Sequence, residues 1–398
     1  MKRLLSTLLV LSATAALAPA QQEAELKSGD VKKLAKPFGE WLDAQLEGKP
    51  TEAGEAMADL DEAVEKLKKK LKGRDPLALV ADWEVVLQEG RNFATNGKLM
   101  SRGKVSTIEF PSGIEADIRK PLKYTPDKTM YPTIVLLGAD ARAAVEGLDK
   151  GVADPFIVVM PDMTDLDEEA VTEVAGFTRI AGPIGQSSLY YGVDRRRLFL
   201  VALDDNASAV ARRLAAEVPN YFAGMALLGK ADGEFKGMGN LKLVPQAEGV
   251  SDLAGALAWA LEQGAVNPYP SEFEYEIAVP WQGRAYWVQA TNFDSATEDG
   301  AEPARFKVAV DRDSNTITLD TAAIYRVRIY LSDAILDLDR PITVVRNGEP
   351  YTYQPSRSIG TLLSNFGSTL DRSVFPSMIS SLDVPLPSEA AADAPTGN

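Results

Sequence analysis

The chain has 398 residues, 45% of them hydrophobic and 25% charged, the make-up of a globular protein with room for two or three units and a substantial core. Its net charge of −15 disfavours nucleic acid and anionic lipid headgroups as partners. It contains neither cysteine nor histidine, which excludes disulfides, thiolate metal sites, the commonest metal ligand and the commonest general base near neutral pH.

Residues 1–20 read as a signal peptide: Lys2 and Arg3, an apolar run too short for a membrane span, then Ala18–Ala20 as a cleavage site. Export to the periplasm or beyond follows, with cutting after Ala20 leaving a chain of net charge −17. Residues 21–100 read as a helical unit. In "TEAGEAMADLDEAVEKLKKKLKG", Met57, Leu60, Val64, Leu67 and Leu71 recur at spacings of three and four and form one apolar stripe. Thr51 is the expected N-cap, Lys68 to Lys72 load the last turn, and Gly73 ends it. An earlier helix is expected around residues 30–47, and another after Asp75–Pro76 with Leu77, Val80, Val85 and Leu87 among its apolar positions. The stripe must pack on its neighbours or on the domain that follows.

Over residues 101–266 the period changes. "TIVLLGA", "FIVVMP", "LFLVAL", "GMALLGK" and "LKLVP" (241–245) are unalternating apolar runs, the pattern of strands buried on both faces of a parallel sheet. Residues 104–110 and 114–124 fit an antiparallel edge pair, and helices are expected at 167–176 and 207–217. This predicts an α/β fold with a mainly parallel sheet. Residues 267–383 then give short alternating strands, with Asn347–Gly348 as a hairpin turn, and predict a C-terminal β-sandwich with one helix (358–370) and a last strand. The tail, residues 384–398, is small, polar and expected to be disordered.

The stretch "YYGVDRRRLFLVALDDNASAVARRLAAEVPNYFAG" resembles secreted α/β-hydrolases of the esterase D and dienelactone hydrolase type. Tyr191, Val193, Asp194 and Arg197 match the approach to the nucleophile elbow, and Pro219, Phe222 and Ala223 match the exit. The resemblance extends over roughly residues 75–383, and includes the junction after Asn267 and the segment 332–363. It implies an α/β-hydrolase-like sheet followed by a β-domain.

The departures from that pattern fall on the chemistry. Asp204 stands where the resemblance implies the nucleophilic serine, and Ala202 and Asn206 replace the outer glycines of Gly-x-Ser-x-Gly. Gly138, Ala139 and Asp140 stand where an oxyanion loop would begin His-Gly, so they are degenerate binding positions. The chain between residues 225 and 263 is too short for the usual acid strand and loop, leaving Asp232 as a weak acid candidate. An aspartate nucleophile is workable on this fold, but the ester it forms normally needs a histidine to be resolved. Asp205, Asp140, Asp162 and Glu248 are carboxylates that strand ends could bring near it.

Capping is the simpler account of Asp204 and Asp205, because Asp-Asp-Asn-Ala-Ser is a good helix N-terminal sequence, and Asn206 suits a left-handed elbow backbone. "DRDSNTITLDTA" (311–322) begins like a calcium loop but has Thr316 and Ala322 where glycine and glutamate belong, so a hairpin turn is expected. The glycine-rich residues 229–240 fit no phosphate-loop or dinucleotide spacing. Trp281, Tyr286 and Trp287 form an aromatic group that alternation places half in the core. The sequence thus predicts no cofactor and no metal. It predicts a pseudo-hydrolase acting by binding or scaffolding, with carboxylate hydrolysis at Asp204 as the alternative.

Overall fold

A computed structural model describes residues 24–90, 101–110, 112–125, 129–294, 303–369 and 380–384. The expected leader lies outside these residues. So does the expected tail, except that the last strand runs through Val384, one residue into it.

Three helices come first: α1 (Ser28–Leu46), α2 (Pro50–Lys70) and α3 (Val80–Glu89). Leu60, Val64 and Leu67 of the α2 stripe are buried, with Met57 and Leu71 partly so. Pro50 occupies the first turn of α2, where its missing N–H costs nothing, so Lys49 and not Thr51 holds the cap position. Asp75 accepts the Leu77 N–H at 2.9 Å and opens a short 3-10 turn, Pro76–Ala78, before α3.

The middle of the chain forms a six-stranded sheet. Its strands are β1 (Val105–Glu109), β2 (Glu115–Arg119), β3 (Tyr131–Leu137), β4 (Ile157–Pro161), β5 (Val193–Ala202) and β6 (Gly224–Leu227), in the order β1-β2-β4-β3-β5-β6. β3 to β6 run parallel, while β1 and β2 form the expected antiparallel edge, with Val105 opposite Arg119. The helices of this part are α4 (Ala141–Glu146), α5 (Lys150–Ala153), α6 (Val174–Tyr190), α7 (Asp205–Glu217) and α8 (Leu253–Glu262). Alternate residues of β3 and β5 serve opposite faces. Val135, Leu137, Leu198, Leu200 and Ala202 pack under α6 and α7; Ile134, Leu136, Phe199 and Val201 pack under α4 and α8. Helices on both faces explain the unalternating apolar runs.

Two expectations fail here. Residues 241–245 are not a strand: a 3-10 turn, Met238–Leu243, follows Gly237 (φ +83°), and only Gln246 bridges to Met225. The helix expected at 167–176 is a 3-10 turn, Ala170–Thr172, and then α6, which runs on to Tyr190. The extended backbone of Glu173 (φ −86°, ψ 146°) separates the two.

The C-terminal part has two sheets. One holds β14 (Glu349–Tyr353), β13 (Ile342–Arg346), β11 (Thr316–Ala322), β10 (Arg305–Asp311) and β7 (Glu272–Glu276) in that order. The other holds β15 (Ser380–Val384), β12 (Ile324–Leu331), β9 (Val288–Phe293) and β8 (Arg284–Ala285), and α9 (Ile359–Thr369) lies between β14 and β15 in sequence. β11 and β13 pair in parallel, so the larger sheet is mixed. Asn347 (φ +49°) and Gly348 (φ +88°) turn the β13–β14 hairpin as expected.

The core of this C-terminal part is shared. Phe38, Trp83, Val86 and Leu87 of the N-terminal helices belong to one hydrophobic cluster with Tyr275, Trp287, Phe306, Val327 and Leu362, whereas the six-stranded sheet has separate clusters. The α2 stripe packs on its neighbour α1, as one of the two expectations had it, and the helical cluster runs on into the last part of the chain. Polar contacts run to both later parts: Arg357 binds Asp333 and Asp339 and approaches Asp75 at 3.8 Å, and Arg196 of β5 pairs with Glu84 of α3 at 3.4 Å.

Candidate functional site

The turn after β5 is built from backbone contacts. Leu203 N–H donates to the Leu137 carbonyl and Leu228 N–H to the Ala202 carbonyl, fixing the ends of β3, β5 and β6 against one another. Asp204 follows in ordinary extended backbone (φ −133°, ψ 176°) as the N-cap of α7. Its Oδ1 accepts the Ala207 N–H at 2.8 Å, and its Oδ2 accepts the Ala139 N–H at 3.3 Å. Both carboxylate oxygens are thus held by backbone amides, one of them in the loop after β3.

The glycines this turn needs lie in the loops beside it. Gly138 has φ +146°, and a Cβ there would sit 3.1 Å from Asp204 Oδ2. Gly229 presses on the turn itself, and its Cβ would lie 2.2 Å from the Asp204 carbonyl carbon. Ala202 is fully buried in the sheet. Asn206 does not take a left-handed backbone; it sits inside α7, and its side-chain amide donates to the Leu166 carbonyl at 2.8 Å.

A cleft of about 940 Å³ opens at the carboxyl ends of β3, β4 and β5. The chain passes from β3 to β4 on one side and returns to β5 on the other, so this is the sheet's topological switch point, where ligands of open α/β sheets bind. Gly138, Ala139 and Asp204 line it. Two arginines do so as well. Arg142 of α4 donates to Asp117 at 3.0 Å and to Thr107 at 3.2 Å, and Thr107 donates to the same Asp117 oxygen at 2.6 Å. Arg179 of α6 pairs with Asp162 at 3.0 Å. The Thr164 backbone N–H, then its side chain, then the Arg179 charge hold the Asp162 carboxyl below the usual carboxylate range. Glu115 also lines the cleft, giving four carboxylates there against two guanidiniums.

The other sequence candidates fall elsewhere. Asp205 turns to the Lys230 N–H at 2.7 Å. Asp140 is exposed at the start of α4 without a side-chain capping bond and does not line the cleft. Asp232 and Glu248 are exposed in loops outside the cleft lining, so neither is brought to Asp204. Trp281 donates to the Thr172 carbonyl at 2.7 Å and packs on Phe177 of α6 at 4.6 Å, while Tyr286 and Trp287 are buried. The aromatic group therefore ties the parts together. Arg142, Arg179, Asp117 and Thr107 carry no local signal in the sequence, because their pairings depend on strand order. Among the described residues no group of three or more acidic side chains is arranged to hold a metal ion, and no helix is long and apolar enough to cross a membrane.

No protein-family model matches the sequence, and no curated protein matches it either. Similar solved structures are esterases and peptidases. They include a thermostable esterase (TM-score 0.28, 19% identity, 39% of this chain and 50% of that one). Another is the acetyl xylan esterase from Aspergillus awamori (0.26, 16%, 32% and 53%). A third is the acylaminoacyl peptidase of Pyrococcus horikoshii (0.24, 14%, 33% and 24%). The chain spans about half the length of the two esterases. Likenesses this slight add nothing to the case that sheet order and turn geometry make for themselves.

Proposed function

We propose that this chain is an exported α/β-hydrolase-like protein that keeps the sheet and elbow of a hydrolase without its chemistry. It acts by binding a ligand or protein partner at the switch-point cleft, or by scaffolding, and its two C-terminal sheets form a β-sandwich around their shared core. One observation carries the reading: both oxygens of Asp204 accept backbone amides, Ala207 and Ala139, in a chain with no histidine to serve as base. A carboxylate so held is a helix cap, and the Ala139 amide is already occupied. Aryl-ester turnover by the purified full chain is the test. The expected result is none; turnover abolished by Asp204→Ala with the fold retained would overturn the proposal.

The alternative, carboxylate hydrolysis at Asp204, is favoured by a different observation: Glu115, Asp117 and Asp162 line the same cleft, and paired carboxylates can divide acid and base roles. Mass spectrometry after incubation with alkyl halides, epoxides and esters tests it. A panel giving neither adduct nor product sinks this alternative.

A further inference from the structure

The far end of α7 carries a fully buried carboxylate that the cleft does not use. Glu217 is the last residue of the helix and has no exposed surface. Its Oε1 accepts the Arg213 Nε–H at 2.8 Å, while its Oε2 has no hydrogen-bond partner among the described residues. The Glu217 backbone carbonyl accepts the Tyr275 hydroxyl of β7 at 2.7 Å. Beside it Asn240 donates to the Ala216 and Glu276 carbonyls and accepts the Glu276 N–H. Glu276 in turn accepts the Gly237 N–H at 2.8 Å. This is the seam between the six-stranded part and the C-terminal sheets, with a carboxyl at its centre.

We infer that Glu217 is a proton-operated latch at this seam, closed while its carboxyl is neutral and loosened when it ionises. A buried neutral acid has no charge to desolvate, whereas a buried carboxylate with one bare oxygen is costly. The charged and titratable groups around it are few. Arg213 on α7 pairs with it and is held in place by the Lys236 carbonyl at 3.2 Å and the Phe235 ring at 5.0 Å. On β7 stand Tyr275 and Glu276. Burial first, and then the Glu217 charge, pushes the Tyr275 phenol well up, so it remains a hydroxyl donor. Burial likewise pushes the Glu217 carboxyl up to about 7, with Arg213 opposing only in part.

The sign follows from proton counting. Once the seam opens and the side chain is solvated, its pKa returns to the ordinary 4.5. Between about 4.5 and about 7 the closed seam holds a proton that the open one releases, so opening becomes easier as pH rises, by about tenfold per unit and roughly 300-fold in all. Below 4.5 the latch is fully closed, and above 7 its contribution is gone.

Hydrogen exchange of the β7 and late α7 amides in the full chain, corrected for intrinsic rates, reads this directly. Protection should fall about tenfold between pH 5 and pH 6 and level off above pH 7. In Glu217→Gln it should be flat over the same range. A wild-type profile that stays flat, or a slope that survives in Glu217→Gln, overturns the proposal. Should Glu217→Gln not fold, carboxyl-carbon NMR of the wild-type chain decides, with the resonance assigned by its loss in Glu217→Asp. A midpoint near 7 supports the latch, and one near 4.5 refutes it.

Discussion

Replacing Asp204 with alanine separates a cap from a catalyst. The substitution removes the acceptor for Ala207 N–H at 2.8 Å and for Ala139 N–H at 3.3 Å. Losing an N-cap acceptor costs about 1 kcal/mol. The longer bond on a half-buried side chain adds about 0.5 kcal/mol. The sum lowers hydrogen-exchange protection of the first α7 turn by roughly 5- to 30-fold. Asp204→Asn keeps one oxygen for the Ala207 N–H and caps almost as well; it gives up the acceptor facing the Ala139 N–H, about 0.5 kcal/mol, and the charge at the helix N-terminus, worth about 0.3–1 kcal/mol. Exchange of Ala207 and Ser208 should therefore rank the proteins wild-type, Asn, then Ala in falling protection. If Ala protects as well as wild-type, or Asn frays as badly as Ala, the capping account is wrong.

Two further substitutions or truncations probe the frame around that turn. Gly229→Ala would place a Cβ 2.4 Å from the Asp205 nitrogen as well as against the Asp204 carbonyl carbon. Backbone on both sides leaves nothing to yield, so a loss of about 3 kcal/mol or more by urea denaturation is expected, and near wild-type stability would show that the loop packs differently. Expression of residues 267–398 alone should give an aggregating or molten product, because Phe38, Trp83 and Leu87 complete its core. A well-dispersed NMR spectrum from that fragment would contradict the shared core.

What the sequence reveals and conceals divides by the range of the interaction. β3, β4 and β5 are legible because residues such as Val135 and Ile134 are both buried, on opposite faces, leaving an unbroken apolar run. Residues 241–245 look alike in letters, but Leu241 and Val244 are buried from a tight turn and Lys242 is exposed, so composition alone misleads. The Asp204 cap is legible because it closes on Ala207, three residues away. The cleft's Arg142–Asp117 and Arg179–Asp162 pairs are not, since strand order brings them together. The α2 stripe announces that something covers it without saying what; α1 covers it, and the cluster they share extends to residues at the other end of the chain.

That arrangement imposes an order in time. The helices carrying Phe38, Trp83 and Leu87 are synthesised first, yet their partners Phe306, Val327 and Leu362 are among the last to appear. The six-stranded part, whose clusters draw only on its own residues, is free to condense in the interval. The early helices meanwhile wait with an apolar face uncovered, and the loop they must close spans the whole intervening sheet, a contact of long sequence separation and slow formation. A chain with contacts of this sequence separation is expected to join its outermost segments late in folding. Its vulnerable species is a chain with a finished centre and two unpaired ends, the kind of partly folded state in which exposed apolar surface invites aggregation.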